Sequence, residues 1–553
     1  MNIANSNKWH WLAVLLAIPA IFSHLGYVPL DMSTDEPRRA LVALEMDLTG
    51  NYLTPMLNGV FYFNKPPLYN WLILGSFHLW GDYSAWSIRF PMAVSVLGFS
   101  LTVFLWLRQY VSYQVAAVVA LLQLVNGRVL FYESLYGLID TTFSWVTFCG
   151  FMVVYAFDRK KNYWALFILS YLLTALGFLM KGLPSLVFQA ITLAVWFGFQ
   201  RRIRLLFHPA HFLGVALWVG LVGTYYVLSI QQFGFPLEKA MQVLWSESIK
   251  RTGFVFGWEA TLLHIASFPF EFVFHFLPFT LFGLLLVRSQ TKNRFVRPPI
   301  AGNWNWLPAT DIYTFHFLLF NVLIFIANLL IYWASPQVYA RYTLMLLPLF
   351  FTVVVQAYYT YPITWQRKWL EVFMGSVMVL ATLGIWVALW VKATRNLPHV
   401  VWICAVSMFF LGMCCFFYRK QVFYRLDIFI VFLLIARISF NFLFIPPRKE
   451  KRLAYQLDNE KAVLMTMNVN GQPAPLYSYR QTIGDDGATD VNSFHIAAMR
   501  HRVLTATSLK IPGAYYLADS LNLIGERYSE YGRLLLYPGR TAKIIRFDST
   551  HAK

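Results

Sequence analysis

The residues best suited to chemistry are few in this apolar chain. They are Asp35 and Glu36 with Arg38 just after them, Lys65 in Asn64-Lys65-Pro66-Pro67, Asp140, Lys181, Arg251, His264 and Arg341. A carboxylate can accept a proton, while guanidinium and ammonium groups pair strongly with phosphate oxygens. Arg38, Lys65, Lys181, Arg251 and Arg341 are therefore a candidate clasp for a phosphate-bearing group. Each also has an ordinary structural use. Asp140 suits a helix cap, and Lys181, ahead of Gly182 and Pro184, suits a span end from which it snorkels. Glu247 and Arg251 have the spacing of a helical ion pair. His264 and His275 sit in no compact zinc-binding spacing.

The elements that position these residues follow from composition. Hydrophobic residues make up 58% of the chain, and apolar runs of spanning length recur from Trp9 to Ile445. The fold class is a polytopic α-helical membrane protein with about thirteen transmembrane helices. Trp9–Leu30, Leu183–Phe199 and Ile265–Val287 are the first, sixth and eighth of them. The first segment lacks a small-residue cleavage site and reads as a retained span. Leu68 to Trp80 is apolar but too short to cross. Short basic loops at Arg108, Arg159-Lys160-Lys161, Arg201-Arg202, Arg367-Lys368 and Arg419-Lys420 fall on one side, which the positive-inside rule makes cytoplasmic. Much of the net charge of +19 is then a topology signal, compatible with anionic lipid nearby. No basic patch sits on a recognition fold, so nucleic acid is not an expected partner.

The chemically interesting residues gather on the opposite, external face, in loops 31–87 and 231–264 and at the ends of spans. Ionisable groups near membrane depth are costly and face a cavity, a partner or water, so one external active site is the simplest reading. Ser33 and Glu36 have capping-box spacing, Pro37 suits a first turn, and Thr49-Gly50 supplies a stop. Asp35 and Glu36 then stand at the amino end of a short helix apolar enough to lie along a membrane surface. Cys149, Cys404, Cys414 and Cys415 all lie within spans, and disulfides are not expected. No loop on the basic side carries a phosphate-binding or dinucleotide fingerprint.

Two domains are expected: residues 1–446 as the membrane domain and 447–553 as a small external, periplasmic α/β domain. In the latter, Ala462–Val469, Ala514–Leu517, Leu534–Tyr537 and Ala542–Phe547 read as strands, with turns at Gly471 and Gly539. Asn492 to Val503 reads as a helix.

Several motifs together carry a family resemblance. Asp35-Glu36-Pro37-Arg38, Gly50-Asn51-Tyr52-Leu53-Thr54-Pro55, Asn58-Gly59 and Tyr62-Phe63-Asn64-Lys65-Pro66-Pro67 resemble the first external loop of ArnT-like glycosyltransferases of the GT-C superfamily. Protein O-mannosyltransferases are more distant relatives. Leu138-Ile139-Asp140, Lys181-Gly182, Phe276-Leu277-Pro278 and Arg341-Tyr342 ahead of Leu347-Pro348 follow in the same order. The resemblance implies a cell-membrane (inner-membrane) enzyme that moves a sugar from a polyprenyl-phosphate donor to a lipid, glycan or protein acceptor on the external face. It matches Asp35 to a loop aspartate at the reacting groups, and Arg38 and Lys65 to basic residues near the donor phosphate. Asp140 matches an acid of the second external loop, and Lys181 the lysine of a Lys-Gly pair. Relatives that transfer aminoarabinose have a zinc-binding glutamate where this chain has Asn64, so a divalent metal at His264 stays open as a cofactor. Asp35 could serve as general base, and Lys65 with Arg38 or Arg251 could offset charge on the departing phosphate.

A transporter or flippase of a lipid-linked or anionic substrate is the rival reading. It would favour an internal repeat and broken helices near the midplane, and no repeat is seen. A scaffold whose outer domain binds a partner leaves the gathered charges unexplained. The topology is testable directly. Single cysteines introduced near Gly50 and Ser520 are expected to react with a membrane-impermeant thiol reagent in intact cells. Labelling at only one of the two would overturn the span count.

Overall fold

The computed structural model describes residues 3–30, 35–249, 253–287, 307–336, 338–361, 363–466, 474–480, 490–535 and 541–547. Arg251, Gly471 and Gly539 lie outside the described residues. Several helix starts fall at side chains that cap them. Ser84, Ser112, Asn162, Asp311 and Thr364 each accept a hydrogen bond from the backbone N–H three residues on, satisfying a donor that a helix start leaves open.

The chain begins with α1 (Ile3–Phe22) and α2 (Glu36–Thr49), then a hairpin of β1 (Met56–Leu57) and β2 (Val60–Phe61). Next come α3 (Leu68–Trp80), α4 (Ala85–Leu107), α5 (Tyr113–Val125), α6 (Gly127–Phe131), α7 (Ile139–Arg159) and α8 (Tyr163–Lys181). They are followed by α9 (Pro184–Phe199), α10 (Pro209–Phe233), α11 (Leu237–Ile249), α12 (Gly253–His275) and α13 (Ile312–Trp333). The membrane part ends with α14 (Leu347–Thr360), α15 (Trp365–Gly384), α16 (Val400–Lys420) and α17 (Arg425–Leu443).

Among the described residues, ten helices are long and apolar enough to cross a membrane. A further apolar pair, Phe256–His275 and Phe279–Leu286, is bent by 113° and makes eleven crossings if it is counted as one span. Lys8–Phe22 and Pro184–Phe199 are apolar but shorter. The expected thirteen are thus thirteen apolar segments, three of which are not straight, full-length spans. Each departure has a local cause. After Phe22 the chain leaves the helix and presents the carbonyls of Leu25 and Val28 to Arg89, at 2.9 and 2.8 Å. Gly182 and Pro184 delay the start of α9, and Pro278, which has no N–H to give, stands at the sharp bend.

Pro37 sits in the first turn of α2, and Gly50 closes it in the left-handed region at φ 69°. The expectation of a surface-lying helix is corrected, because every residue from Arg39 to Met46 is buried. One side of α2 is covered by α3 and another by a helix of the C-terminal tail. The Glu45 carboxylate accepts the hairpin N–H groups of Asn58 and Gly59, at 2.5 and 3.0 Å. Gly59 has φ 72°, and a Cβ there would stand 3.1 Å from the Thr505 methyl, so the turn and the close approach both ask for glycine.

The tail holds α18 (Pro446–Met465), β3 (Leu476–Tyr479), α19 (Asp490–Arg500), β4 (Ala506–Thr507), β5 (Tyr515–Asp519), β6 (Tyr528–Leu535) and β7 (Thr541–Phe547). Its five-stranded sheet has the order β4-β3-β5-β7-β6. β3 runs parallel to β4 and β5, while β7 is antiparallel to β5 and β6. The strand expected from Ala462 is a correction: α18 continues helical to Met465. Val463 packs there against Leu476, Ile496, Leu517 and Ile544, a helix-on-sheet contact that overrides the local β preference. β3 and β4 went unread in the sequence.

Burial pushes the Glu45 carboxyl up to about 7, although two backbone N–H groups pull it down. A carboxyl with a raised folded pKa stabilises the fold fully below its unfolded value. That contribution is lost as pH rises through about 7. The melting temperature in detergent is therefore expected to fall between pH 5 and pH 8, with about 3 kcal/mol at stake. Glu45→Gln is expected to flatten this slope, and an unchanged slope in the variant would refute the assignment.

Candidate active site

The start of α2 is fixed from outside the site. Glu36 is fully buried and takes Arg89 in a bidentate ion pair, Nε to Oε1 at 2.7 Å and Nη2 to Oε2 at 2.8 Å. Its Oε1 also accepts the Gly137 N–H at 2.7 Å. A side chain at Gly137 would stand 2.9 Å from the Ile88 carbonyl, so glycine is what lets this loop close on Glu36. The effect is to set Asp35 beside the start of α7, where Asp140 occupies the first turn.

Between them lies a cavity of about 120 Å³, lined by Asp35, Arg38, Arg39, Tyr62, Asn64, Lys65, Leu138, Ile139, Asp140, Lys181, Glu247, Arg341 and Tyr342. Pockets that bury a whole drug-sized ligand are larger, ~300 Å³ upward. This one has room for a reacting head group rather than an entire lipid-linked molecule. Six of the residues singled out in the sequence meet here: Asp35, Arg38, Lys65, Asp140, Lys181 and Arg341. They come from α2, the loop after β2, α7, α8 and the 3₁₀ turn Ala340–Leu346.

The wall carries five cations (Arg38, Arg39, Lys65, Lys181, Arg341) against three carboxylates (Asp35, Asp140, Glu247). Such a surplus favours an anionic ligand. Asp140 is 5% exposed at its side chain and doubly paired, with Lys181 Nζ at 2.5 Å and Arg341 Nε at 3.2 Å. The Lys181 ammonium also stands 3.9 Å above the Tyr342 ring, and the Arg341 guanidinium 4.6 Å above Tyr339. These aromatic faces hold the cations where a single carboxylate would leave them under-compensated. Asp35 differs. Its side chain is 62% exposed, and its ion pair among the described residues is a long one, 3.5 Å to Arg341. A carboxylate that is open and weakly held can accept a proton, whereas one locked between two cations is a support.

Four more residues belong to the site or its edge and were not singled out. Arg39 is 4% exposed, donates to the Tyr62 hydroxyl, and its Nη1 finds no hydrogen-bond acceptor among the described residues. Its position directly after Arg38 was the available signal. Glu247, named in the sequence only for its helical spacing to Arg251, lies on the cavity wall, reached from α11. Glu133 pairs with Arg128 at 2.7 Å. Burial pushes its carboxyl up to about 7 against the pull of Arg128. Asp490 of the tail pairs with Arg38 at 2.8 Å. Burial raises its carboxyl above the usual range, with Arg38 opposing. Neither Glu133 nor Asp490 lies in a motif.

Two residues named from sequence stand apart from the cavity wall. Glu36 is the structural partner of Arg89 described above. His264 on α12 places Nε2 3.1 Å from the Tyr332 carbonyl oxygen, so that nitrogen carries a proton and is not a metal ligand. No group of three His, Cys, Asp or Glu is gathered for a metal among the described residues, and Asn64 offers the cavity an amide. These donors do not fit a metal, and no step is routed through one.

Residues 64–226 match the family described as dolichyl-phosphate-mannose-protein mannosyltransferase. An undecaprenyl phosphate-alpha-4-amino-4-deoxy-L-arabinose arabinosyl transferase from Edwardsiella ictaluri is 28% identical over 282 residues, covering 50% of this chain and 48% of that protein. The Aeromonas hydrophila protein of the same name is 29% identical over 196 residues, 34% of this chain and 35% of its own. The matches thus span half or less of these curated relatives. ArnT from Cupriavidus metallidurans in the apo state has the same fold over 98% of both chains, with a TM-score of 0.65 at 17% identity. Its complex with undecaprenyl phosphate gives a TM-score of 0.65 at 16% identity over the same 98% of each chain. The chain is a multi-span integral membrane protein with an ArnT-like, GT-C fold.

Lys181→Met removes one of two cations from a buried carboxylate. Breaking a buried pair costs about 3–5 kcal/mol, so a clear drop in melting temperature is expected in detergent. Adding Asp140→Asn to Lys181→Met is expected to recover part of it. A single variant as stable as the wild type would show that Asp140 does not depend on this pair.

Proposed function

We propose that the chain is an integral membrane glycosyltransferase that moves a sugar from a polyprenyl-phosphate donor to a lipid, glycan or protein acceptor, on the external face of the cell membrane. One observation carries the reading: a small, cation-rich cavity at the ends of membrane helices, with one exposed carboxylate at its edge. The activities of the relatives named above support it, and the segment that matches the mannosyltransferase family contains Asn64, Lys65, Asp140 and Lys181. No relative quoted above is a transporter.

The chemistry divides among the side chains. Arg38, Arg39 and Lys65 hold the donor phosphate by charge-assisted hydrogen bonds. Lys181 and Arg341, fixed by Asp140, add to the positive potential beside it. The acceptor's oxygen or nitrogen attacks the anomeric carbon, and the bond from that carbon to the phosphate oxygen breaks. Its electron pair leaves with the polyprenyl phosphate, where the cations offset the gathering charge. Asp35 takes the acceptor's proton as general base. Asp140, locked between two cations, is a positioning residue. With Asp35 assigned as base rather than nucleophile, the transfer is a single displacement and inverts the anomeric centre.

Purified protein given radiolabelled polyprenyl-phosphate sugars tests the reading. Asp35→Asn is expected to lower the single-turnover rate by about two to four orders of magnitude with donor affinity little changed. Lys65→Ala is expected to weaken donor binding and slow transfer together. Near-normal turnover in Asp35→Asn would remove Asp35 as base, and uptake into vesicles without any transfer would overturn the enzyme reading.

A further inference from the structure

Arg38 is held by a residue from the other end of the chain. Its Nε donates at 2.8 Å to Asp490 Oδ2, in the first turn of α19. Asp490 is 2% exposed, and its Oδ1 has no hydrogen-bond partner among the described residues. The tail meets the same loop at a second place, where the Ala506 N–H donates to the Asn58 carbonyl at 2.7 Å and the Thr505 methyl lies against Gly59. This second contact already docks the tail by backbone and apolar packing. A buried carboxylate adds desolvation cost to that docking, so its presence opposite a cavity-wall arginine needs its own reason.

Geometry supplies one. An arginine side chain has about 2 kcal/mol of rotamer entropy to lose, and its planar fork binds phosphate well only when its plane is set. A bond at Nε sets that plane. Affinity gained this way is preorganisation: the ordering cost is met on folding rather than on binding.

We propose that Asp490 is a positioning residue for the donor, orienting Arg38 toward the phosphate so that donor affinity depends on the docked tail. The proposal rests on the reading that the cavity takes a polyprenyl phosphate. It gives the C-terminal unit a part in the donor site beyond simple docking.

The test uses the full chain in detergent, with undecaprenyl phosphate as the probe and binding followed by fluorescence titration. A hydrogen bond to a charged group corresponds to about tenfold or more in affinity, so Asp490→Ala is expected to weaken binding about tenfold. Asp490→Asn keeps an oxygen that can accept from Nε and is expected to lose about threefold or less. In an Arg38→Ala background, neither substitution is expected to change affinity further. An equal loss in both backgrounds would show that tail docking, not Arg38, carries the effect, and would overturn the proposal. If Asp490→Ala does not fold, Asp490→Asn in the two backgrounds decides by the same comparison. Wild-type binding that neither variant alters would overturn this inference alone. No saturable binding by the wild type would overturn the donor reading, and this inference with it.

Discussion

The fold is built around a carboxylate that sits at the end of a membrane helix and must not be left alone there. Stripping a charged group of water costs several kcal/mol unless partners replace the solvent. Asp140 has two, Lys181 from the end of α8 and Arg341 from the 3₁₀ turn ahead of α14. That one side chain therefore draws three separate membrane segments to a point, and the aromatic faces of Tyr342 and Tyr339 brace the cations around it. Arg341 also faces Asp35, so the first loop meets the transmembrane bundle at the same place. The cavity is what remains when these charges are held close but not fully neutralised.

A second set of contacts keeps the first loop from moving relative to that point. Glu36 and Arg89 clamp the start of α2 to α4 and to Gly137 just before α7. Glu45 caps the hairpin that leads to Lys65. The tail then covers α2 through α19, with Asp490 on Arg38. Adjacent residues in one short helix thus have opposite fates. Glu36 is buried in an ion pair with Arg89 and is not part of the cavity wall, while Asp35 is left open at its edge. Reactivity here is decided by neighbours, not by residue type.

Much of this is legible in the sequence. The apolar segments were legible because a bilayer demands long apolar runs, and the Asp-Glu-Pro-Arg, Asn-Lys-Pro-Pro, Leu-Ile-Asp, Lys-Gly and Arg-Tyr marks together flagged six residues that meet in the cavity. Three things were not legible. Straightness of a span is set by backbone partners such as Arg89, which lies far from Leu25 and Val28 in sequence. Burial of α2 depends on α19, more than four hundred residues later. The end of α18 kept its helix because Val463 found a sheet to pack on, a tertiary preference that short β-prone runs do not reveal. For the same reason Asp490 gave no signal: nothing near it in sequence shows that it will face Arg38.

The central claim is that the cavity bounded by Arg38, Lys65 and Asp140 holds the phosphate of a lipid-linked donor. Cryo-electron microscopy of the full chain with undecaprenyl phosphate in lipid nanodiscs tests it most directly. Phosphate density within hydrogen-bonding distance of Arg38 and Lys65, with Asp35 open to the adjoining space, is the expected result. Phosphate bound elsewhere on the molecule, with this cavity holding only solvent, would contradict it.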